Sequence, residues 1–221
     1  MHPEQSATHL NLWKQRLGRV PDWVWERTDL ETLVLAGNGL EELPAQIGRL
    51  KKLRMLDLGH NALGAVPEEL GNLKSLTDFL YLHDNRLTSL AASLARLTKL
   101  RYLNIGENRF EAWPEAVSGM TALVELRAGG NRLRSLPDSI GRLTELRELH
   151  LRDNLIESLP ESLGNLAELR QIDLRGNPFT HLPDAIAGLP RLDKLDLRWT
   201  DKLRPPAWIV DLQARGCLVY R

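Results

Sequence analysis

Residues 146–168 read LRELHLRDNLIESLPESLGNLAE, and this segment decides the fold because its frame returns along nearly the whole chain. The frame is Leu-x-x-Leu-x-Leu, an asparagine, and then a Leu-Pro pair before a second apolar segment. Its asparagine recurs at Asn38, Asn61, Asn85, Asn108, Asn131, Asn154 and Asn177, in steps of 23 residues with one step of 24. A fixed period of this length predicts a solenoid of stacked coils.

Each part of the frame has a physical role. Leu-x-Leu alternates as a short strand does, with leucines inward and the residues between them outward. One strand cannot bury its leucines alone, so neighbouring coils must stack into a parallel sheet. The asparagine amide can bond backbone groups at the inward turn that follows the strand. Proline suits the start of a short return helix, and the later glycine suits its end.

The frame resembles the 23-residue class of leucine-rich repeats, Leu-x-x-Leu-x-Leu-x-x-Asn-x-Leu-x-x-Leu-Pro-x-x-Ile-Gly-x-Leu-x-x. That class occurs in plant intracellular Ras-group-related proteins, in animal Ras-binding and polarity scaffolds, and in bacterial proteins. The resemblance extends from about residue 7 to residue 212. It implies an α/β leucine-rich-repeat solenoid shaped as a curved horseshoe, with a parallel β-sheet on the concave face and short helical or 3-10 segments on the convex face. By analogy alone it implies a protein partner such as a small GTPase or a kinase.

We expect one solenoid over residues 1–221. It divides into an N-terminal capping repeat (7–29), seven repeats (30–191), and a degenerate last repeat with a C-terminal cap (192–221).

The terminal units depart from the frame as capping units do. The last unit leads into a predicted helix ending near Gly216, followed by a final strand at Cys217–Tyr220. Both terminal units carry a tryptophan two residues after a proline, Trp23 and Trp208, which we expect to cover the ends of the core.

One extra residue lies between Leu73 and Leu80. Two interpretations remain open. The residue either lengthens the loop before the strand, or it forms a β-bulge that turns Phe79 toward the concave face.

The outward strand positions divide the predicted concave face into two halves. The apolar and aromatic half comprises Val34, Met55, Phe79, Tyr81 and Tyr102, with His83 beside them. The candidate binding residues of the charged half are Arg127, His150, Arg152, Arg175 and Arg198. Exposed aromatic side chains on a sheet favour partner binding, although cross-strand aromatic pairs also stabilise a sheet by themselves.

Three arginines, Arg152, Arg175 and Arg198, stack at one position of consecutive coils. Nearby aspartates could neutralise them within the chain. Alternatively, the arginines bind an acidic segment of a partner, because Arg engages carboxylates through two hydrogen bonds.

Composition limits the remaining function classes. Lys+Arg and Asp+Glu both number 29, so no net charge favours nucleic acid. No segment approaches the ~20 apolar residues of a membrane-spanning helix, and no basic region followed by an apolar run suggests a secretory signal. We therefore expect a cytoplasmic protein, or one exported without a cleaved signal if it is a bacterial effector. The Arg-, Ala- and Leu-rich composition is typical of GC-rich bacteria.

Catalytic and cofactor motifs are not found in the sequence. There is no Walker loop, no Gly-x-Ser-x-Gly and no His-Glu-x-x-His, so we predict no enzyme activity and no cofactor. The single cysteine, Cys217, is interpreted as a capping residue. Metal ligation is disfavoured, although suitable side chains fall on three adjacent turns, namely Asp57, His60, His83, Asp84 and Glu107.

The sequence thus favours a monomeric protein-interaction module that binds a partner protein on its concave face, as a scaffold, an adaptor or an effector recognition unit. One alternative is the substrate-recognition part of a larger enzyme, such as a bacterial effector ubiquitin ligase or a repeat-bearing kinase. A second alternative is a solenoid that binds a metal or a small ligand.

Overall fold

The computed structural model describes residues 8–221, and within them ten three-residue strands form one parallel sheet. Each strand pairs with the next one along the chain. The strands are β1 (His9–Asn11), β2 (Thr32–Val34), β3 (Met55–Asp57), β4 (Phe79–Tyr81), β5 (Tyr102–Asn104), β6 (Glu125–Arg127), β7 (Glu148–His150), β8 (Gln171–Asp173), β9 (Lys194–Asp196) and β10 (Leu218–Tyr220). The predicted α/β solenoid with a parallel sheet is confirmed.

Every strand has the same register, because its middle residue is the inward leucine or its equivalent. Leu33 pairs with Leu56, and Leu56 pairs with Leu80. These leucines have no exposed surface, whereas the residues on either side of each point away from the core. We call the surface formed by those flanking residues, and by the turn residues that follow each strand, the open face.

Short 3-10 helices return the chain on the opposite side of the core. In the described residues they are η1 (Asp22–Glu26), η2 (Ala45–Arg49), η3 (Glu68–Asn72), η4 (Ala92–Arg96), η5 (Glu115–Gly119), η6 (Asp138–Arg142), η7 (Glu161–Asn165) and η8 (Asp184–Gly188). Proline precedes each of them except η4, which follows Ala91. The fixed φ of proline suits the extended residue that leads into each of these helices. Glycine in the helix permits close stacking of coils, since a Cβ on Gly71 would overlap the backbone of Ser93.

The recurring asparagines hold the turns after the strands. Asn154 illustrates the arrangement: its side-chain amide donates to the carbonyls of Ala128, Leu151 and Arg152 at 2.9–3.3 Å. Its side-chain oxygen accepts the N–H of Leu133 in the preceding coil at 3.0 Å. Each asparagine therefore joins two coils and pairs backbone groups that are otherwise buried without partners, as the sequence predicts.

The core is one continuous column of apolar side chains between the sheet and the 3-10 helices. Leucine dominates it, and the largest fully buried side chains include Phe110 and Phe179. No helix among residues 8–221 is both long enough and apolar enough to cross a bilayer.

The C-terminal end of the column is covered by α1 (Ile209–Ala214) and by β10. Ile209 and Leu212 are buried against the last coil, and Trp208 packs on the core while its indole N–H donates to Asp184 at 3.0 Å. The predicted final helix, final strand and covering role of Trp208 are confirmed.

The prediction for Trp23 is wrong. Its side chain is 44% exposed, whereas Trp25, two residues later, is 2% exposed and packs into the core. The 3-10 helix η1 turns Trp25 inward beside Val24 and leaves Trp23 at the surface.

The extra residue of the fourth coil is absorbed before β4. The pairs Met55–Phe79, Leu56–Leu80 and Asp57–Tyr81 follow one another without interruption. The N–H of Arg101, the residue before β5, donates to the carbonyl of Thr77 and not to that of Asp78, the residue before β4. The irregularity therefore lies in the loop that precedes β4. The loop interpretation is confirmed, and β4 contains no bulge.

Candidate binding surface

Three aromatic side chains meet at the centre of the open face. Phe79 and Tyr81 flank the inward Leu80 of β4, and Tyr102 is the first residue of β5. The ring centroids are 5.0 Å apart for Tyr81–Tyr102, 5.5 Å for Phe79–Tyr102 and 5.9 Å for Phe79–Tyr81. We call these three residues the aromatic cluster.

The aromatic cluster is only partly covered by the protein itself. Phe79 is 43% exposed, and Tyr81 and Tyr102 are half-buried. Burial raises the pKa of both tyrosine hydroxyls, so both stay protonated at neutral pH and can donate a hydrogen bond. Phenol rings with one apolar side and one hydrogen-bonding end are suited to binding surfaces.

The other predicted apolar residues extend the cluster toward the N-terminal coils. Met55 pairs in register with Phe79 on the neighbouring strand β3, and Val34 lies at the end of β2. Both side chains are half-buried on the open face. The apolar half of the predicted site therefore extends from Met55 to Tyr102 across strands β3–β5, and Asp57 separates Val34 from Tyr81 in the register.

His83 follows β4 and connects the aromatic cluster to a neighbouring histidine. Its ring is 6.0 Å from Tyr81 and 4.6 Å from His60, both in edge-on arrangements. The Nε2 atoms of His60 and His83 are 3.2 Å apart, and His60 Nδ1 is 2.7 Å from a carboxylate oxygen of Asp84. Burial, followed by the nearby His60, lowers the pKa of His83, so its ring is neutral at pH 7.

A hollow of about 460 Å³ lies on the open face beside the cluster. Side chains from six consecutive coils line it, as a concave surface requires. They include all the predicted residues of the charged half and His83: His83, Arg127, His150, Arg152, Arg175 and Arg198. Phe79 and Tyr102 border a second hollow of about 380 Å³ with Arg101, Val124 and Glu125.

Two of the stacked arginines are neutralised within the chain. Arg175 forms two hydrogen bonds to Asp173 at 2.7 and 2.8 Å, and Arg198 forms two to Asp196 at 2.7 and 2.9 Å. Asp196 is only 2% exposed. Burial acts to raise its pKa, but the hydrogen bonds from Arg198 together with the positive charges of Arg175 and Arg198 hold that pKa below its usual range.

Arg152 is held more loosely. Its guanidinium is 3.7 Å from Glu107 and 3.9 Å from Asp153, and about half of its side chain is exposed. Surface ion pairs of this kind contribute little, so the Arg152 charge can be redirected to a partner at small cost. Of the three predicted arginines, Arg152 best fits the role of contacting an acidic group.

Glu125 and Glu148 lie directly opposite each other on β6 and β7, with His150 beside them. His150 Nε2 is 3.2 Å from Glu148 and 3.9 Å from Glu125, and the ligand atoms of all three lie within 4.8 Å of one another. The guanidinium of Arg127, 2.5 Å from Glu125, supplies a positive charge at this point. One of the two carboxylates is thereby paired with a cation that the chain itself provides.

Sequence reasoning missed an aromatic pair at the C-terminal end of the open face. Trp199 is 65% exposed, and the Arg198 guanidinium lies 5.6 Å from its ring centroid and 5.4 Å from that of Tyr220. Trp199 has a φ of 61° and occupies the turn position held by Asp84 and Glu107 in inner coils. A tryptophan at that polar turn position was the signal that could have found it.

Ten in-register strands, a hydrogen-bonded asparagine in each inner turn and a partly exposed aromatic cluster define a repeat solenoid with an open sheet surface. The family model described as "Leucine-rich repeat region" matches residues 8–126, and that described as "Leucine rich repeat" matches residues 129–179 and 144–201. The chain belongs to the leucine-rich repeat family. No curated protein matches it.

Similar solved structures include three receptor complexes. The plant peptide hormone receptor RGFR1 in complex with RGF2 is 29% identical, over 87% of this chain and 32% of that chain, with a TM-score of 0.76. The ectodomain of the receptor kinase GASSHO1/SCHENGEN3 from Arabidopsis thaliana was solved in complex with CASPARIAN STRIP INTEGRITY FACTOR 2. It is 30% identical, over 92% of this chain and 26% of that chain, with a TM-score of 0.79. The PEPR1–AtPEP1 complex is 31% identical, over 79% of this chain and 29% of that chain, with a TM-score of 0.66. This chain therefore spans a third or less of each receptor chain.

Proposed function

We propose that this protein is a non-enzymatic interaction module that binds a partner protein on the open face, as a scaffold, an adaptor or an effector recognition unit. The aromatic cluster provides the anchor, together with Met55 and Val34. The loosely held Arg152 provides a contact for an acidic group of the partner, beside the neutralised Arg175 and Arg198.

The aromatic cluster is the observation that carries this proposal. Three rings from two adjacent strands lie within 6 Å of one another on a sheet surface that the rest of the chain leaves partly open. Exposing such a patch is unfavourable unless a partner covers it. Tyrosine and arginine are also the residue types that contribute most at protein interfaces.

The similar structures support a protein or peptide as the ligand. Three of these receptors were solved as complexes: RGFR1 with RGF2, GASSHO1/SCHENGEN3 with CASPARIAN STRIP INTEGRITY FACTOR 2, and PEPR1 with AtPEP1. In this chain the hollow beside the aromatic cluster crosses six coils, which suits an elongated segment of a partner.

The test compares partner capture and stability in matched variants. The chain is immobilised and exposed to a native lysate of its source cells, and the captured partner is purified for calorimetry. We expect Tyr81→Ala with Tyr102→Ala to weaken binding of that partner at least about tenfold, since truncated hot-spot residues each cost 2 kcal/mol or more. Trp23→Ala, which removes an exposed tryptophan in η1, is the control and should bind as the wild type does.

Melting curves separate binding from sheet stabilisation. If the tyrosines only stabilise the sheet, the double variant will melt at a lower temperature while the folded protein retains full affinity. That result contradicts the proposal. Lost binding with a nearly unchanged melting temperature supports it.

A further inference from the structure

His60 and His83 lie on adjacent coils, next to the aromatic cluster, and present two imidazole nitrogens to one point. Their Nε2 atoms are 3.2 Å apart. The ring centroids are 4.6 Å apart with an interplanar angle of 80°. Because the centroids are only slightly farther apart than the nitrogens, the rings converge at an angle and do not lie end to end.

We infer that His60 and His83 form a binding site for a divalent transition-metal ion such as Zn²⁺, with water completing its coordination. Zinc–imidazole bonds are about 2.0–2.1 Å long, so nitrogens 3.2 Å apart subtend roughly 100° at a shared ion. That angle is close to tetrahedral. Imidazole is a suitable ligand for zinc, copper and nickel.

Asp84 supports this site as a carboxylate that orients a metal-bound histidine. Its oxygen lies 2.7 Å from His60 Nδ1, which places the ring proton on Nδ1 and leaves the Nε2 lone pair directed at His83. Histidine ligands of metals are usually fixed through their other nitrogen in this way. Asp84 itself has a φ of 51°, a conformation that asparagine also tolerates.

The His83 ring packs against the backbone of Gly59 on the neighbouring coil. Its Nδ1 atom is buried and has no hydrogen-bond partner among the described residues. A metal bound at Nε2 leaves the ring proton on Nδ1, the nitrogen on the buried side of the ring. A Cβ on Gly59 would overlap the His83 ring, so the glycine provides the space that the ring occupies.

The partly exposed His60 keeps the remaining coordination positions open to solvent. The acidic cluster of Glu125, Glu148 and His150 is a weaker candidate, because Arg127 already lies against Glu125. The metal site is tested separately from the proposed function, since the zinc titration needs no partner protein.

Isothermal titration of the untagged chain with Zn²⁺ alone tests the inference. The assay uses a His2→Ala background, because a histidine beside the terminal amine can bind metals by itself. We expect one ion per chain, at least a tenfold weaker affinity in His60→Ala and in His83→Ala, and unchanged affinity in His181→Ala, an exposed histidine on another coil.

Two further variants test the geometry. Asp84→Asn should weaken zinc binding about 10- to 100-fold, as loss of an orienting carboxylate does. Gly59→Ala should weaken it by displacing the His83 ring, whereas Gly64→Ala, where an added Cβ meets nothing within 4 Å, should not.

The inference is overturned if the wild-type chain shows no zinc binding at millimolar concentration, or if the His60→Ala/His83→Ala double variant binds as tightly as the wild type. Equal affinity of Gly59→Ala and Gly64→Ala also counts against it. Circular dichroism of every variant verifies that each one is folded.

Discussion

The asparagine at the end of each inner strand offers the sharpest test at the scale of one residue. In Asn154→Ala three carbonyls and one N–H lose their partners inside the turn. An unpaired buried polar group costs about 1–3 kcal/mol. We therefore expect urea denaturation to show a loss of about 3 kcal/mol in the free energy of unfolding.

Asn165→Ala is the matched control for this change. Asn165 belongs to the same coil but is exposed in η7. Its replacement should alter stability by less than about 0.5 kcal/mol. A similar loss in both variants would show that the inner asparagine has no special role.

Cys217 should be nearly inert in the folded protein. It is buried between α1 and β10, and burial raises the pKa of its thiol, so little thiolate forms at neutral or mildly alkaline pH. We expect a colorimetric disulfide reagent at pH 8 to react with Cys217 slowly in buffer and rapidly in denaturant. Equal rates in the two conditions would contradict burial of the thiol.

Residue positions with a fixed register were predictable from sequence, and pairings that depend on side-chain rotation were not. The alternation of inward leucines and outward neighbours predicted that four residues share one surface, and the structure places them there: Met55, Phe79, Tyr81 and Tyr102. The two-point contacts of Arg175 and Arg198 with Asp173 and Asp196 depend on rotamers. For that reason the sequence left both interpretations of these arginines open.

At the scale of the element, the aspartate at the end of β9, Asp196, should make stability fall in acid. Asp196 has a pKa below its ordinary value in the folded protein, because the hydrogen bonds from Arg198 and the charges of Arg175 and Arg198 together outweigh its burial. Its contribution is present above the unfolded pKa of about 3.9 and is lost as the pH falls through the lower folded pKa. Urea midpoints measured from pH 6 down to pH 2 should fall more steeply for the wild type than for Asp196→Asn.

Asp201→Asn serves as the control for this pH dependence, since Asp201 is exposed beyond β9. It should follow the wild-type curve. Parallel curves for the wild type and Asp196→Asn would show that the carboxylate charge contributes nothing to the last coils.

The fourth coil shows why sequence left the loop and bulge interpretations open. A one-residue insertion between leucines leaves the inward–outward alternation of β4 intact in both cases. The observed outcome depends on the loop before Phe79, where the hydrogen bond from Arg101 shifts to Thr77. Loops absorb added residues at small entropic cost.

At the scale of the whole molecule, stability should depend on position along the column of coils. Leu126 and Leu10 are both fully buried, but among residues 8–221 the strand of Leu126 has two neighbouring strands and that of Leu10 has one. Leu126→Ala should cost about 4 kcal/mol and Leu10→Ala about 2 kcal/mol. If guanidinium unfolding showed equal losses in the free energy of unfolding for the two variants, the dependence on neighbouring coils would be contradicted.

The architecture followed from the sequence because each coil repeats the same local code. Strand positions, asparagine turns and proline-led 3-10 segments each require only a few residues of context. The exchange between Trp23 and Trp25 is different, because no coil precedes the first one within residues 8–221 and the frame there does not show which tryptophan faces inward. The hollow beside the aromatic cluster is lined by residues of six coils, so the sequence pattern of a single repeat could not predict it.

The identical register of all ten strands has an evolutionary consequence. Backbone bonds and asparagine amides fix most of each coil, while outward side chains such as Phe79 and Tyr102 make no hydrogen bond to that scaffold and can change with little effect on it. A 23-residue cassette can therefore be duplicated, exchanged or grafted, carrying its own outward residues to a new place in the series. Recognition in such a protein can diversify by reshuffling cassettes while the frame that supports them stays constant.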